Sequence, residues 1–244
     1  MSRRDPALDR FVIDCRRLFE VELESVFLYG SGADGEFREG LSDHNLAIVM
    51  KPVRPEALRR ASRRLGTWRK WGIGTPLVLD ASVLEEGMSV FPIELGEMKR
   101  AHRVLFGSDP FLSLHVGTER LRWQCEYEIQ AKILSLRQAY LREAGSPAAT
   151  LRIVQDSLKS FLIIMRNALT LIGESPPSRL TEVLDRVESR WGVALPTWRR
   201  VLSTRQEGGR VKRAEIHPLF AAYLDEAASL VAHFSEPIDG GSAP

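Results

Sequence analysis

Residues 26–50 read VFLYGSGADGEFREGLSDHNLAIVM, and the fold turns on how this stretch is parsed. The apolar run Val26 to Tyr29 stops at Gly30-Ser31, and a polar, glycine-bearing loop follows. Ser42-Asp43-His44-Asn45 then opens a second apolar run, Leu46 to Met50, which ends at Lys51-Pro52. Short unbroken apolar runs bounded by turn residues are the pattern of buried strands, so the stretch predicts strand, loop, strand. Alternate residues of a strand face the same side, which points Asp43 and Asn45 together and His44 the opposite way. Gly30 allows close approach of a ligand to the backbone, and Ser31 offers a hydroxyl and an amide that suit phosphate oxygens. An ordinary connection between two strands would use the same residue types, so both readings stay open at this point.

Upstream, Leu8, Phe11, Val12, Cys15, Leu18 and Phe19 recur at the spacing of an amphipathic helix over Leu8 to Glu22. Downstream, Pro55 to Trp71 is helical in pattern, with proline in its first turn and Gly72 past its end. Thr75 to Leu79 and Ser89 to Leu95 are the next expected strands, with Val104 to Phe106 a further one before Gly107. Pro92 assigns the second of these to an edge or a bulge. After about Thr118 the pattern is helical throughout: Glu119 to Glu143, Leu151 to Ile172, Arg179 to Arg190, Pro196 to Arg205 and His217 to Phe234. Strand–helix alternation followed by helices alone predicts an α+β fold, a mixed β-sheet domain over residues 1–115 and a C-terminal α-helical bundle over residues 116–235. The last residues, 236–244, carry little that a core would use and read as a disordered tail.

The bulk properties narrow the function classes. At 244 residues the chain can bury a substantial core, and 44% hydrophobic with 27% charged residues is ordinary for a globular protein. A formal net charge of +2 gives no general pull toward nucleic acid or a membrane surface. Cys15 and Cys125 form neither a disulfide framework nor a CxxC metal motif. The N-terminus lacks the apolar core of a signal peptide, and apolar runs such as Phe161 to Met165 are too short to span a bilayer. A reduced, cytoplasmic protein without membrane contact is expected.

Gly30-Ser31 after one strand, with Asp43 and Asn45 opening the next, resembles the signature of the DNA polymerase β-like nucleotidyltransferases. In that family a Gly-Ser pair follows one strand and two aspartates, one residue apart, lie on the next. Phe91-Pro92-Ile93-Glu94-Leu95, Val104-Leu105-Phe106-Gly107 and Leu121 to Glu126 extend the likeness to a bacterial subgroup of nucleotidyltransferase-domain proteins of unknown substrate. The resemblance implies Mg²⁺-dependent transfer of a nucleoside monophosphate from a nucleoside triphosphate to a hydroxyl of a small molecule or protein. It implies Gly30, Ser31 and Ser42 as nucleotide contacts, Asp43 and Asn45 as metal positions, and Asp43 with a further carboxylate as catalytic residues. The family's third carboxylate falls on a later strand; Thr75 to Leu79 offers none in its middle, Asp80 ends it, and Glu94 on the following strand is the preferred candidate. This chain departs from the family at Asn45, whose amide oxygen can ligate a metal but adds no charge. Two Mg²⁺ ions clamping the attacking and leaving oxygens need anionic oxygen ligands. The alternative reading is therefore a catalytically silent relative that binds a nucleotide or a partner.

The remaining features have simpler readings. Arg59, Arg60, Arg63, Arg64, Arg69 and Lys70 line one helix and could touch phosphate or RNA, but at this net charge a solvated face is the expected reading. The Arg199 to Arg213 stretch reads as a flexible basic loop. Arg166 interrupts an apolar helix and is expected to pair with an acid. His44, His102, His115, His217 and His233 show no zinc-ligand spacing. The five tryptophans read as packing anchors, with base stacking by Trp123 the outlying possibility.

Overall fold

The computed structural model describes residues 5–33, 44–87, 90–112, 114–115, 117–143, 145–207 and 210–235. The chain divides into two compact units, Met1–Gly117 and Thr118–Pro244. Ser42, Asp43 and the tail 236–244 lie outside the described residues.

The first unit opens with α1 (Pro6–Phe19). Asp5 caps it, its carboxylate accepting from the Ala7 N–H at 2.9 Å, and Pro6 occupies the first helical position, where its missing N–H costs nothing. β1 (Leu23–Tyr29) follows, then the Gly30–Gly32 turn and β2 (Leu46–Met50). The helix expected over Pro55 to Trp71 is two, α2 (Pro55–Ser62) and α3 (Leu65–Lys70), separated by Arg63 and Arg64. Periodicity does not show this break because a tertiary contact sets it. The Trp68 ring packs edge-on against Phe11 with centroids 4.9 Å apart, while its indole N–H and the Arg64 Nε both donate to Asp14 Oδ2, at 2.7 and 2.8 Å.

β3 (Leu77–Asp80), α4 (Ala81–Gly87), α5 (Pro92–Arg100) and β4 (His102–Gly107) complete the unit. The sequence expectation of a strand over Ser89 to Leu95 is corrected here: Pro92 stands at the start of a helix, where proline is favoured, instead of interrupting a strand. The four strands form one sheet in the order β3-β2-β1-β4, antiparallel except for the parallel β2–β3 pair. Alternation gives the sheet two faces. Val26, Leu28, Leu46, Ile48 and Met50 pack with Phe11, Phe19 and Trp68 under α1, α2 and α3. Phe27, Ala47 and Val49 pack with Leu84, Leu95 and Phe111, joined by Tyr29, Leu77, Leu79 and Met98.

The second unit is helical among its described residues: α6 (Thr118–Arg142), α7 (Pro147–Ala168), α8 (Val183–Trp191), α9 (Pro196–Glu207) and α10 (Ile216–Ser235). Its core is aromatic. Phe161, Trp198 and Tyr223 are fully buried, the Trp198 ring lying 5.0 and 5.5 Å from the other two, and the Trp198 indole N–H donates to the Tyr223 carbonyl oxygen at 3.2 Å. The Glu226 carboxylate accepts the Thr197 and Trp198 N–H groups at 2.8 and 3.0 Å, so α10 caps α9 where the helix dipole favours an anion. The buried Arg166 donates to the Ser178 carbonyl oxygen at 3.2 Å. No described helix is long and apolar enough to cross a membrane. A mixed sheet followed by helices is the α+β class expected from the pattern.

Candidate functional site

The sheet face that carries Phe27, Tyr29, Ala47 and Val49 ends at the Gly30 turn. Gly30 has φ +71°, a left-handed conformation that costs an L side chain roughly 1–2 kcal/mol. The turn is closed by the Ala33 N–H donating to the Gly30 carbonyl at 2.9 Å, and the Gly30 N–H donates to the Ala101 carbonyl at 2.9 Å. Tyr29 N–H donates to the Asn45 carbonyl oxygen, also at 2.9 Å. A Cβ at Gly30 would lie 3.5 Å from Asn45 Nδ2. The exposed Asn45 amide therefore rests against the Gly30 backbone, and the structure brings these two expected site residues together.

His44 shows why Asn45 turns this way. Its Nε2 pairs with Asp5 Oδ2 at 2.9 Å, and its backbone N–H donates to Gly72 O at 3.2 Å. Residue 44 is thus tied to the cap of α1, and the pleat sends residue 45 to the opposite face. Ser31 lies within the Gly30–Gly32 turn.

The expected third carboxylate does not face this site from β3. Parallel pairing sets Ala47 beside Leu77 and Val49 beside Leu79, so the site face of β3 carries leucines. Asp80 lies beside Met50, on the row that packs toward α1. Its Oδ2 accepts the Val53 N–H at 2.9 Å, and its Oδ1 accepts the Ser82 hydroxyl and N–H at 2.7 and 3.1 Å. The Val53 amide, then the Ser82 hydroxyl and amide, hold the Asp80 carboxyl below its usual value. Asp80 braces the β2–α2 connection and the start of α4.

Glu94 is exposed in the first turn of α5. The opposite end of that helix meets the Gly30 turn, through Ala101. Seven residues at 1.5 Å each put Glu94 about 10 Å along the axis from that end, and helical side chains lean toward the N-terminus, further away.

Two residues that sequence reasoning passed over belong to the site face. Tyr29 precedes Gly30 and is half-buried, and burial pushes its phenol above the ordinary value. His102 pairs across β4 with Tyr29. Its ring packs on Phe111 at 4.7 Å, its Nδ1–H donates to the Lys99 carbonyl at 2.9 Å, and its Nε2 lies 3.2 Å from Asp109 Oδ1. With protein partners at both nitrogens His102 is a strut beside the turn. Its face follows from the pairing of β4 with β1, which no local sequence pattern fixes.

The donor set bears on any metal. Among the described residues, no group of three or more His, Cys, Asp or Glu is placed to hold an ion. Asn45 contributes one neutral oxygen, and β3 contributes no carboxylate to this face. These described donors alone supply fewer anionic ligands than two Mg²⁺ ions need.

No family model matches the sequence, and no curated protein matches it. Among solved structures, the chain is similar to spectinomycin adenyltransferase AAD(9) from Enterococcus faecialis, crystallised with ATP and spectinomycin. The two are 13% identical, with a TM-score of 0.54, over 94% of this chain and 98% of that one. At that identity the likeness is one of fold, and it spans the strand-bearing and the helical parts alike. The chain shares its α+β fold with that adenyltransferase.

Proposed function

We propose that the protein binds a nucleoside triphosphate at the Gly30 turn and transfers its nucleoside monophosphate to the hydroxyl of a small molecule, with Mg²⁺. The observation that carries this reading is the left-handed Gly30 turn with the Asn45 amide resting on it, at the end of the central β1–β2 pair. The Gly30 N–H is already committed to Ala101, so the amides of Ser31 and Gly32 are the donors assigned to the phosphates. Asp43 precedes Asn45 by two residues, the spacing at which strand side chains share a face, and its carboxylate with the Asn45 side-chain amide oxygen would hold one Mg²⁺. A bound ion neutralises charge on the triphosphate. In the transfer, the acceptor oxygen forms a bond to the α-phosphorus, the bond from that phosphorus to the bridging oxygen breaks, and pyrophosphate leaves. The acceptor proton passes to water, since the leucines of β3 offer no base. The match to a protein crystallised with ATP and a small acceptor supports the choice of acceptor class.

A second reading, nucleotide binding without transfer, is favoured by Asn45 together with Leu77 and Leu79 on the site face. Titration of the four ribonucleoside triphosphates by calorimetry, with and without Mg²⁺, tests the common part of both. Mg²⁺-dependent binding that Asp43→Ala abolishes supports the site. Label from an α-³²P triphosphate appearing on a small molecule of a cell extract supports transfer, and its absence despite tight binding selects the second reading. No triphosphate binding at millimolar concentration sinks both.

A further inference from the structure

The helical unit carries a surface feature that the nucleotide site does not use. α6 packs on α7 and α10 and buries Leu121, Cys125, Ile129, Ile133 and Leu136. Its other side exposes Trp123 by 62%, Tyr127 by 56%, Leu134 by 59% and Leu141 by 75%, and these values refer to the whole chain. The Trp123 and Tyr127 rings stack on each other, centroids 5.4 Å apart and planes 9° apart. The exposed residues Arg120, Trp123, Tyr127, Gln130, Leu134, Arg137 and Leu141 follow one another at alternating spacings of three and four. That is a heptad seam, the repeat by which one helix packs along another at a shallow angle. The same helix therefore has one face built for its own bundle and a second built for a partner helix.

The seam selects its own copy, and one direction. Parallel pairing would set Gln130 against Gln130 and Arg137 against Arg137, the latter juxtaposing like charges. Antiparallel pairing about a two-fold axis sets Trp123 of one copy on Leu141 of the other. It also sets Tyr127 against Arg137, a cation–π pair, and Gln130 against Leu134. Gln130 and Arg137 then each meet an apolar or aromatic residue. On the roughly 150–250 Å² scale of large side chains, the four apolar residues expose about 500 Å² per copy. Two copies bury about 1,000 Å² before the flanking polar residues are added, which reaches the threshold of a specific interface. We propose that the protein forms a two-fold homodimer through the α6 seam, with the two helices antiparallel.

Sedimentation velocity on the full chain, from micromolar to submillimolar concentration, tests this. A dimer is expected, and Leu134→Glu is expected to weaken association at least about tenfold, as loss of a central contact does. Circular dichroism should stay unchanged, because Leu134 is exposed. Val21→Glu, at a residue 96% exposed in the other unit, should leave association as it is. Orientation is read by oxidation. Trp123→Cys combined with Leu141→Cys should cross-link into a covalent dimer, and Leu141→Cys alone should not; the natural Cys15 and Cys125 are buried and do not compete. A monomer at every concentration overturns the proposal, as does a dimer indifferent to Leu134→Glu. Cross-linking by Leu141→Cys alone overturns the antiparallel arrangement. A monomer whose Trp123 fluorescence is quenched by single-stranded RNA also overturns it, in favour of a base-stacking face.

Discussion

Asn45→Asp is the substitution with the sharpest expected outcome, because its effect should change sign with the metal. Asn45 is exposed, its backbone carbonyl is committed to Tyr29, and its side chain rests on Gly30. Aspartate has the same size, so the fold should hold and the melting temperature should not move. What changes is one unit of charge. A pair of unit charges 4 Å apart interacts by about 1 kcal/mol in water and about 4 kcal/mol at the effective permittivity of a protein surface. Exposure places Asn45 toward the lower value, and ~1–2 kcal/mol corresponds to roughly 5- to 30-fold in affinity. In Mg²⁺ the variant should therefore bind ATP about 5- to 30-fold more tightly than the wild type. In EDTA the added carboxylate repels the bare triphosphate, and the variant should bind more weakly. Calorimetric titration under both conditions measures the two effects on one sample. Tightening of similar size with and without Mg²⁺, or no change in either, would refute the assignment of Asn45 to a metal–triphosphate site.

Gly107→Ala should destabilise the first unit by about 3 kcal/mol or more in urea unfolding: Gly107 has φ +80°, and an added Cβ would lie 1.9 Å from the Glu24 carbonyl oxygen. Asp14→Ala leaves the indole N–H of the fully buried Trp68 without its acceptor and should cost about 1–3 kcal/mol. In a Trp68→Phe background the same change should cost less, and equal costs would show that the bond contributes nothing. The Asp80 carboxyl is held low by the Val53 and Ser82 donors, so its contribution is full above the unfolded value near 3.8 and is lost as pH falls through the folded one. Thermal melts should show wild type more stable than Asp80→Asn at pH 6, with the gap closing on acidification below about pH 4. Glu94→Gln should leave nucleotide binding and any transfer unchanged; a loss of either would return Glu94 to the site.

What could be read from the sequence followed the range of the physical signal. β2 was legible to its ends because Leu46 to Met50 is buried at every position and proline follows. The helices of the second unit were legible because each carries a long apolar period bounded by proline or glycine. α5 was not, because the apolar residues of Phe91 to Leu95 fit either period, and Pro92 is compatible with an edge strand as well as with the first turn of a helix. The break between α2 and α3 was not legible either, since Asp14, fifty residues away in sequence, sets it. In the site, local features were visible: Gly30 next to a strand end and Asn45 two residues past Asp43. The faces of β3 and β4 were not, because they depend on pairing register, which no local pattern fixes.

Register also explains how a site of this fold comes to face leucines. Side chains alternate, so a slip of one residue between β2 and β3 would exchange Leu77 and Leu79 for Val78 and Asp80 on the face of Asn45. Asp80 opposes that slip. Its carboxylate is bound to Val53 on one side and Ser82 on the other, which anchors the end of β3 relative to the β2–α2 connection. The carboxylate that sequence spacing offers as a metal ligand is the group that keeps β3 presenting an apolar face. Restoring charge at position 45 alone should accordingly improve binding of one metal–triphosphate without assembling a two-metal site. A second carboxylate would have to enter at Leu77, which lies beside Ala47 and packs in the core under the site face. Burying it there would cost stability unless a metal were bound. A Leu77→Glu, Asn45→Asp double variant should therefore melt lower than Asn45→Asp in EDTA and regain part of the loss in Mg²⁺ with ATP.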